Sequence, residues 1–495
     1  MMRRVTSVAL GILAAGACAV GPSTRATAPA TRPLLPTDSL SSPAARGFLD
    51  SLAAVRAAER SDSTSALWRV KPLALDSTSD RSWLALLDDP VLLTLVESAI
   101  AGNTDLAMAV ARVKEYRALL GVARGDLFPQ IGAGGFASKN QSVFGTFPAQ
   151  NFDVVRVTAD LAWELDFWGR LRRQTQAARF DLLSREEDQR ATVVTLVSDV
   201  ITAYLELREL DQQLAISEQT LESRRATLAL SRRRFAEGVI SELDVRQFES
   251  EAAAPAARVA DFARQRGEKE HQLSVLLGRT PGPIPRGRPL AEAVQAVAVP
   301  DSIPGELLLR RPDVRRAERE LSAALARVGL ALGNRLPRIA ITGQYGRQRG
   351  DFHDLFGISG EIYLLQLGMT VPLFTGGRLL NQQRAANARV DQARARYDHS
   401  VLTAFQEAAD ALAGLGLTRD QLVAQDAQVQ ALQRALVLAQ RRYENGVSSY
   451  LEVLDAQRGL YIAQLLLVQT ERQYLVSTVR LYKAVGGGWD NRLPR

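Results

Sequence analysis

The sequence predicts a mixed α and β protein, mainly α, built as two copies of one unit. Three observations carry this: an internal repeat at a constant offset of 208 residues, long stretches almost free of Gly and Pro, and short segments of alternating polarity ahead of each stretch. With 495 residues and 46% apolar content the chain can bury a large core, and only 6% of it is aromatic while Ala and Leu abound, which favours long helices.

The N-terminus has the layout of a secretory signal: Arg3 and Arg4, an apolar run from Val5 to Ala17, and small residues at its end. Cys18, the only cysteine, follows at once and has no partner for an internal disulfide. Two readings stay open there. Lipid attachment at Cys18 explains a lone cysteine at that position, while Ala15-Gly16-Ala17 also suits cleavage by ordinary signal peptidase. Residues 20–80 are rich in Pro, Ser, Thr and Ala and read as an extended linker, with one short amphipathic segment from Phe48 to Arg60, so the folded body is expected from about Trp83.

From there the repeat can be followed residue by residue. Asp105 matches Asp313, Pro129 matches Pro337, Gly169-Arg170-Leu171 match Gly377-Arg378-Leu379, Gly238-Val239 match Gly446-Val447, and Gly278 matches Gly486. A register held over such a distance without gaps indicates duplication. The expected segments are a signal peptide at 1–17, a lipid anchor and linker at 18–82, a first repeat at 83–300, a second at 301–488 and a tail at 489–495.

Each repeat predicts a long helix and a return helix. The 68 residues between Gly169 and Gly238 contain no Gly or Pro, and the matching stretch has only Gly414 and Gly416. Such a helix extends about 100 Å, far beyond a compact core, and needs partners along its length. Leu214, Leu221, Leu228 and Phe235 recur every seventh residue, as do Leu422, Val429, Leu436 and Tyr443, which predicts a coiled-coil seam. Ser241 to Leu277 and Ser449 to Val485 complete an antiparallel hairpin in each half, with Pro255 placed to bend the first.

The period changes to two in front of each long helix. Val155, Val157, Ala159, Leu161, Trp163 and Leu165 alternate with Arg156, Thr158, Asp160, Ala162 and Glu164; Ile339, Ile341 and Tyr345, then Tyr363, Leu365, Leu367, Met369 and Val371, continue the pattern in the second half. Each half thus offers a strand pair, joined by polar loops expected over Ser138–Asn151 and Gln348–Phe356, with Pro129, Pro337, Pro372 and Gly169 at the helix–strand junctions. One apolar and one polar face suit a wall between lipid and water, as they also suit a soluble sandwich. Four strands cannot close a barrel, so a membrane wall requires several chains.

The motifs Cys18-Ala-Val-Gly-Pro, Trp163-Glu-Leu-Asp-Phe-Trp-Gly-Arg, Arg311-Pro-Asp-Val-Arg and Arg442-Tyr-Glu-Asn-Gly-Val-Ser-Ser-Tyr-Leu-Glu-Val-Leu-Asp-Ala-Gln resemble the TolC-type outer-membrane factors, in their lipoprotein branch, from Trp83 to Gly488. The resemblance implies a homotrimer whose four strands per chain make a 12-stranded outer-membrane β-barrel, continued by a long periplasmic α-helical barrel. It implies a passive channel for drugs or other small molecules, working with a periplasmic adaptor (membrane fusion) protein and an inner-membrane pump of the RND type, set in outer-membrane lipid and needing no cofactor. By the same resemblance Gly238, Val239, Ser241, Gly446, Val447 and Ser448 mark tips that dock the adaptor, and Glu452 and Asp455 form rings of carboxylate at a periplasmic gate. Plain readings stand beside these: Gly is the commonest residue at a sharp helical turn, and two acids on a helix are ordinarily solvated. Ser448 departs from relatives with an arginine there, and Thr24 replaces the aromatic residue often found after Gly-Pro.

Other classes fit less well. The net charge of +7 does not imply nucleic acid, because Arg224, Arg225, Arg232, Arg233 and Arg234 are interleaved with Glu218, Glu222 and Glu237 in the manner of solvated helix faces. His271, His353 and His399 lack metal-ligand spacing, and no Gly-rich phosphate loop occurs, so an enzyme is not expected. A periplasmic coiled-coil scaffold leaves the strands unexplained. A duct for one-step protein secretion remains the alternative within the resembling family.

Overall fold

The computed structural model describes residues 89–294 and 308–487, apart from 143–144, 146–147, 356 and 358–359. The signal segment with Cys18, the linker with Phe48–Arg60, and the tail at 489–495 lie outside the described residues.

The first half runs α1 (Pro90–Gly102), α2 (Thr104–Gly125), β1 (Gln130–Ser142), β2 (Gln150–Leu165), α3 (Arg170–Ala236), α4 (Glu242–Leu276) and the short α5 (Leu290–Val294). The second runs α6 (Pro312–Gly333), β3 (Arg338–Arg349), β4 (Glu361–Thr370), α7 (Arg378–Glu444) and α8 (Tyr450–Ala484). The repeat is therefore structural. Helices α3 and α7 are each 67 residues long and α4 and α8 each 35.

Local chemistry sets the boundaries. Asp89 caps α1 through the amides of Val91 and Leu92, and its other oxygen receives the Tyr204 hydroxyl at 2.8 Å, tying the first helix to α3. Helices α3 and α7 begin behind Gly169 and Gly377, both left-handed at φ 75° and 78°, a conformation that favours glycine. Pro129 and Pro337 stand directly before β1 and β3, where a missing amide interrupts nothing. Helix α4 is continuous through Pro255, whose ring removes the helical partner of the Glu251 carbonyl, and α7 is continuous through Gly414 and Gly416.

The core lies along the helix seams. Val113 and Leu120 of α2 meet Leu182 of α3; Leu321 and Ala324 of α6 meet Ala393 of α7; Leu210 and Leu214 of α3 meet Phe262 of α4. A further cluster joins Val314 and Ala317 of α6, Tyr397, Ala404, Ala408 and Leu415 of α7, and Tyr474 and Leu481 of α8. Alanines in these seams let backbones approach closely, and each fully buried Leu contributes about 1.5–3 kcal/mol.

Three expectations need correction. The loop between β1 and β2 is shorter than expected, because β1 reaches Ser142 and β2 begins at Gln150, whereas the loop between β3 and β4 is displaced to 350–360; backbone pairing continues into polar sequence that the alternation did not flag. The heptad seam fades toward the helix ends: Leu214 and Leu221 are buried, whereas Phe235 is exposed. Arg224 is not on a solvated face. It falls seven residues after Ser217 and seven before Ser231, and these three form a second, polar row of the seam, all buried.

Candidate functional site

Two regions can carry function, the sheet and the hairpin tips. The strands pair antiparallel in the order β1-β2-β3-β4, which leaves one edge of β1 and one of β4 unpaired within the chain. Register decides what each face presents. Leu165, Ile339 and Met369 stand side by side, then Trp163, Ile341 and Leu367, then Ile131, Leu161, Gly343 and Leu365, then Ala133, Ala159, Tyr345 and Tyr363. On β2 this face runs about 33 Å along the strand from Leu165 to Val155, or about 25 Å in height at a tilt near 40°, with Arg347, Glu361 and Arg349 entering its outermost rows beside Val157 and Val155. Leu365 is 76% exposed and Leu367 70%, a surface that water disfavours and lipid accommodates.

The opposite face is mainly polar, with Phe136, Ile362 and Leu364 set among its polar residues. Gln344 donates to Asp160 at 2.9 Å, Arg156 donates to Gln348 at 2.8 Å, and Arg170 makes two bonds to Glu164 at the foot of the sheet. Trp163 and Trp168 donate to the carbonyls of Leu127 and Pro337, so both indoles sit where strands give way to helices. Among the described residues no single helix is long and apolar enough to cross a membrane.

At the other end of the helices, both tips use one turn. Gly238 and Gly446 take φ of 74° and 71°. Val239 donates to the Arg234 carbonyl and Gly238 to that of Phe235; Val447 and Gly446 repeat both bonds to Arg442 and Tyr443. This is the Schellman closure of a helix C-terminus. Ser241 then caps α4 by a reciprocal pair of bonds with Asp244, a Ser-x-x-Asp box readable in the sequence. Ser449 caps α8 without a side-chain bond, and the Ser448 hydroxyl is buried without a hydrogen-bond partner. Val239 and Val447 project into solvent.

Glu452 and Asp455 both lie exposed near the start of α8, three residues apart; Glu452 accepts from Arg442 of α7 at 3.3 Å, which closes the second hairpin on itself. The structure adds contacts between hairpins that the sequence did not reveal. Arg234 of α3 donates to the Tyr443 hydroxyl of α7 at 2.6 Å, and Phe248 of α4 packs on Tyr450 of α8 with ring centres 5.0 Å apart. Glu251 of α4 is held by Arg224 of α3 and by Arg458 of α8. Burial raises the Glu251 pKa, but the hydrogen bond from Arg458 and the charge of Arg224 outweigh it and hold the carboxyl below the ordinary glutamate value. Higher up, Tyr461 meets Ser217 at 2.9 Å and Arg472 meets Glu209 at 2.6 Å. One signal was available: a charge on a seam row, as at Arg224, implies a buried partner.

Among the described residues no group of His, Cys, Asp and Glu could hold a metal ion. A sheet with one lipid-compatible face, set on paired helical hairpins of great length, defines a membrane-channel subunit class. The outer membrane efflux protein family matches residues 95–279 and 303–487, one match per repeat, and the chain belongs to that family. It is 36% identical over 408 residues to the solvent efflux pump outer membrane protein SrpC of Pseudomonas putida, covering 81% of this chain and 86% of the relative. It is 31% identical over 418 residues to the cation efflux system protein CusC of Escherichia coli, covering 84% and 90%. The Neisseria gonorrhoeae MtrE outer membrane channel, solved in its open state, superposes with a TM-score of 0.73 at 29% identity, covering 81% and 90%. The family and these relatives are transport proteins rather than enzymes.

Proposed function

We propose that three copies of this chain join through β1 and β4 into a 12-stranded barrel in the outer membrane, and that the trimer conducts small molecules passively from periplasm to exterior. The observation that carries this reading is the sheet: one mainly apolar face, one mainly polar face and two unpaired edges in a chain whose four strands are too few to close. The relatives named for solvent and cation efflux support small-molecule cargo over secreted protein. Cargo choice then rests with an inner-membrane pump of the RND type, reached through a periplasmic adaptor.

In this reading the turns at Gly238-Val239-Ile240-Ser241 and Gly446-Val447-Ser448 dock the adaptor, whose partner surface is apolar to match Val239 and Val447. Threefold symmetry turns Glu452 and Asp455 into rings of carboxylate that narrow the entrance and favour cations. The contacts of Arg458, Glu251, Tyr443 and Arg234 hold the second hairpin against the first, and adaptor engagement releases them. Cys18 carries the lipid anchor. The segment boundaries stand at 1–17, 18–82, 83–300, 301–488 and 489–495.

The test is a mass measurement of the detergent-solubilised protein paired with conductance in planar bilayers. A trimeric mass with discrete channel steps is expected; a water-soluble monomer without sheet signal would remove the reading. Replacing Glu452 and Asp455 by Ala should raise single-channel conductance, and unchanged conductance would take both residues out of the gate.

A further inference from the structure

The positive charge of this chain is not spread evenly. Four helix ends adjoin the sheet: residues 112–126 at the end of α2, 166–181 leading into α3, 322–338 at the end of α6, and 378–391 at the start of α7. Together they hold fourteen Lys and Arg against five Asp and Glu. That excess of nine is larger than the +7 of the entire chain, so everything else carries a slightly negative balance. All four segments lie within about 25 Å of the sheet along their helices.

Pairing within the chain consumes only part of this charge, with Arg117, Arg170, Arg172 and Arg327 holding carboxylates. Arg112, Lys114, Arg124, Arg179, Arg378 and Arg389 are exposed, and none of their side chains has an ion-pair or hydrogen-bond partner among the described residues. Nearer the tips Arg224, Arg232, Arg246, Arg264, Arg442 and Arg458 hold carboxylates, while Arg225, Arg233, Arg434 and Arg441 are exposed. Local helix stability does not account for the basic ends either. Helix α7 opens with Arg378, has no acid in its first turn and no side-chain cap, an arrangement that opposes the helix dipole, whereas at α3 the Asp166 carboxylate accepts from the Leu171 and Arg172 amides. An exposed charge such as Arg378, set against the helix dipole and without an internal side-chain partner among the described residues, implies a partner outside the chain.

Position says which. The segments begin directly beneath the apolar face of the sheet, at the level of Trp163, Trp168 and exposed Phe128, and aromatic side chains of this kind mark the border between hydrocarbon and headgroups. Fixed cations within a Debye length of a membrane surface attract acidic headgroups. We propose that these four helix ends form a basic collar that binds the headgroups of anionic phospholipids in the periplasmic leaflet of the outer membrane. This rests on the outer-membrane reading above, and the trimer presents the collar three times over.

The test uses the full-length protein purified in detergent, offered equal amounts of dioleoyl phosphatidylglycerol and dioleoyl phosphatidylethanolamine, with retained lipid read by native mass spectrometry. Wild type should retain the glycerol lipid over the ethanolamine lipid by about threefold or more, and lose that preference in high salt. Combined Arg124→Gln, Arg179→Gln, Arg378→Gln and Arg389→Gln should abolish it, while Lys at the same four positions should preserve it. Equal retention of both lipids by wild type, persistence in the Gln variant, or full displacement by inorganic phosphate at matched concentration would each overturn the collar. Mass and far-ultraviolet circular dichroism of the same samples separate the two levels. A monomer without sheet signal sinks the channel reading, whereas an intact trimer without lipid preference sinks only the collar.

Discussion

Arg458→Ala should shift the tips toward their separated state without unfolding the chain. The substitution removes one of two guanidinium partners of Glu251 and leaves Arg224 to neutralise it. The Arg458 side chain is 56% exposed and that of Glu251 15%, which places the pair near the surface end of the ion-pair range, at about 1 kcal/mol per chain. If three symmetric tethers act together the total is about 3 kcal/mol, a change of roughly 150-fold in the closed-to-open ratio. Glu251→Ala perturbs more, because it strands Arg224, only 6% exposed, and an uncompensated buried charge costs about 3–5 kcal/mol, part of which appears as lost thermal stability. The assay is open probability in planar bilayers. Arg264→Ala serves as control, since among the described residues Arg264 pairs only with Asp261 and Glu268 on its own helix. An Arg458→Ala channel that opens no more often than this control would refute the tether.

Further outcomes follow from other parts of the fold. Leu365→Lys, on the apolar face, should cost about 2–4 kcal/mol in barrel stability, while Gln366→Lys on the opposite face should leave heat resistance of the trimer unchanged on a semi-native gel. Gly446→Ala, at φ 71° with open space around it, should cost about 1–2 kcal/mol through backbone strain alone and weaken adaptor pull-down. Glu471 on α8 is buried with one carboxylate oxygen unpartnered, and burial, aided by Asp426, pushes its pKa up to about 7. A raised folded-state value means the native protein holds the proton more tightly than the unfolded chain, so stability is lost as pH rises from about 4.5 to about 7. Glu471→Gln should therefore raise the thermal midpoint at pH 8 and leave it unchanged at pH 4, as scanning calorimetry would show.

Most of the architecture was legible in the sequence because it rests on periodicity and on punctuation by Gly and Pro. The offset of 208 residues placed both hairpins, and Gly169, Gly238, Gly377 and Gly446 marked helix ends that the backbone needs in the left-handed region. The alternation over Val155–Leu165 gave the inner part of β2, which begins five residues earlier at Gln150. It missed the outer reaches of β1 and β3, since Lys139, Asn140, Gln141 and Arg349 pair through their backbones whatever their side chains. The contacts at the tips were not legible for another reason. Glu251 and Arg458 are 207 residues apart, and a pair so distant in sequence leaves no periodic trace. Arg224 was misread because its Glu neighbours in sequence suggested a solvated face, although its spacing from Ser217 and Ser231 put it on the seam.

The unpaired margins of β1 and β4 also bear on biogenesis. A newly exported copy travelling alone presents two sticky borders and a greasy panel at once, so its final shape and its union with two siblings are a single event. Yield should then rise more steeply than linearly with the number of copies made, and escort proteins that shield such borders in transit should matter more for this chain than for barrels that close on themselves.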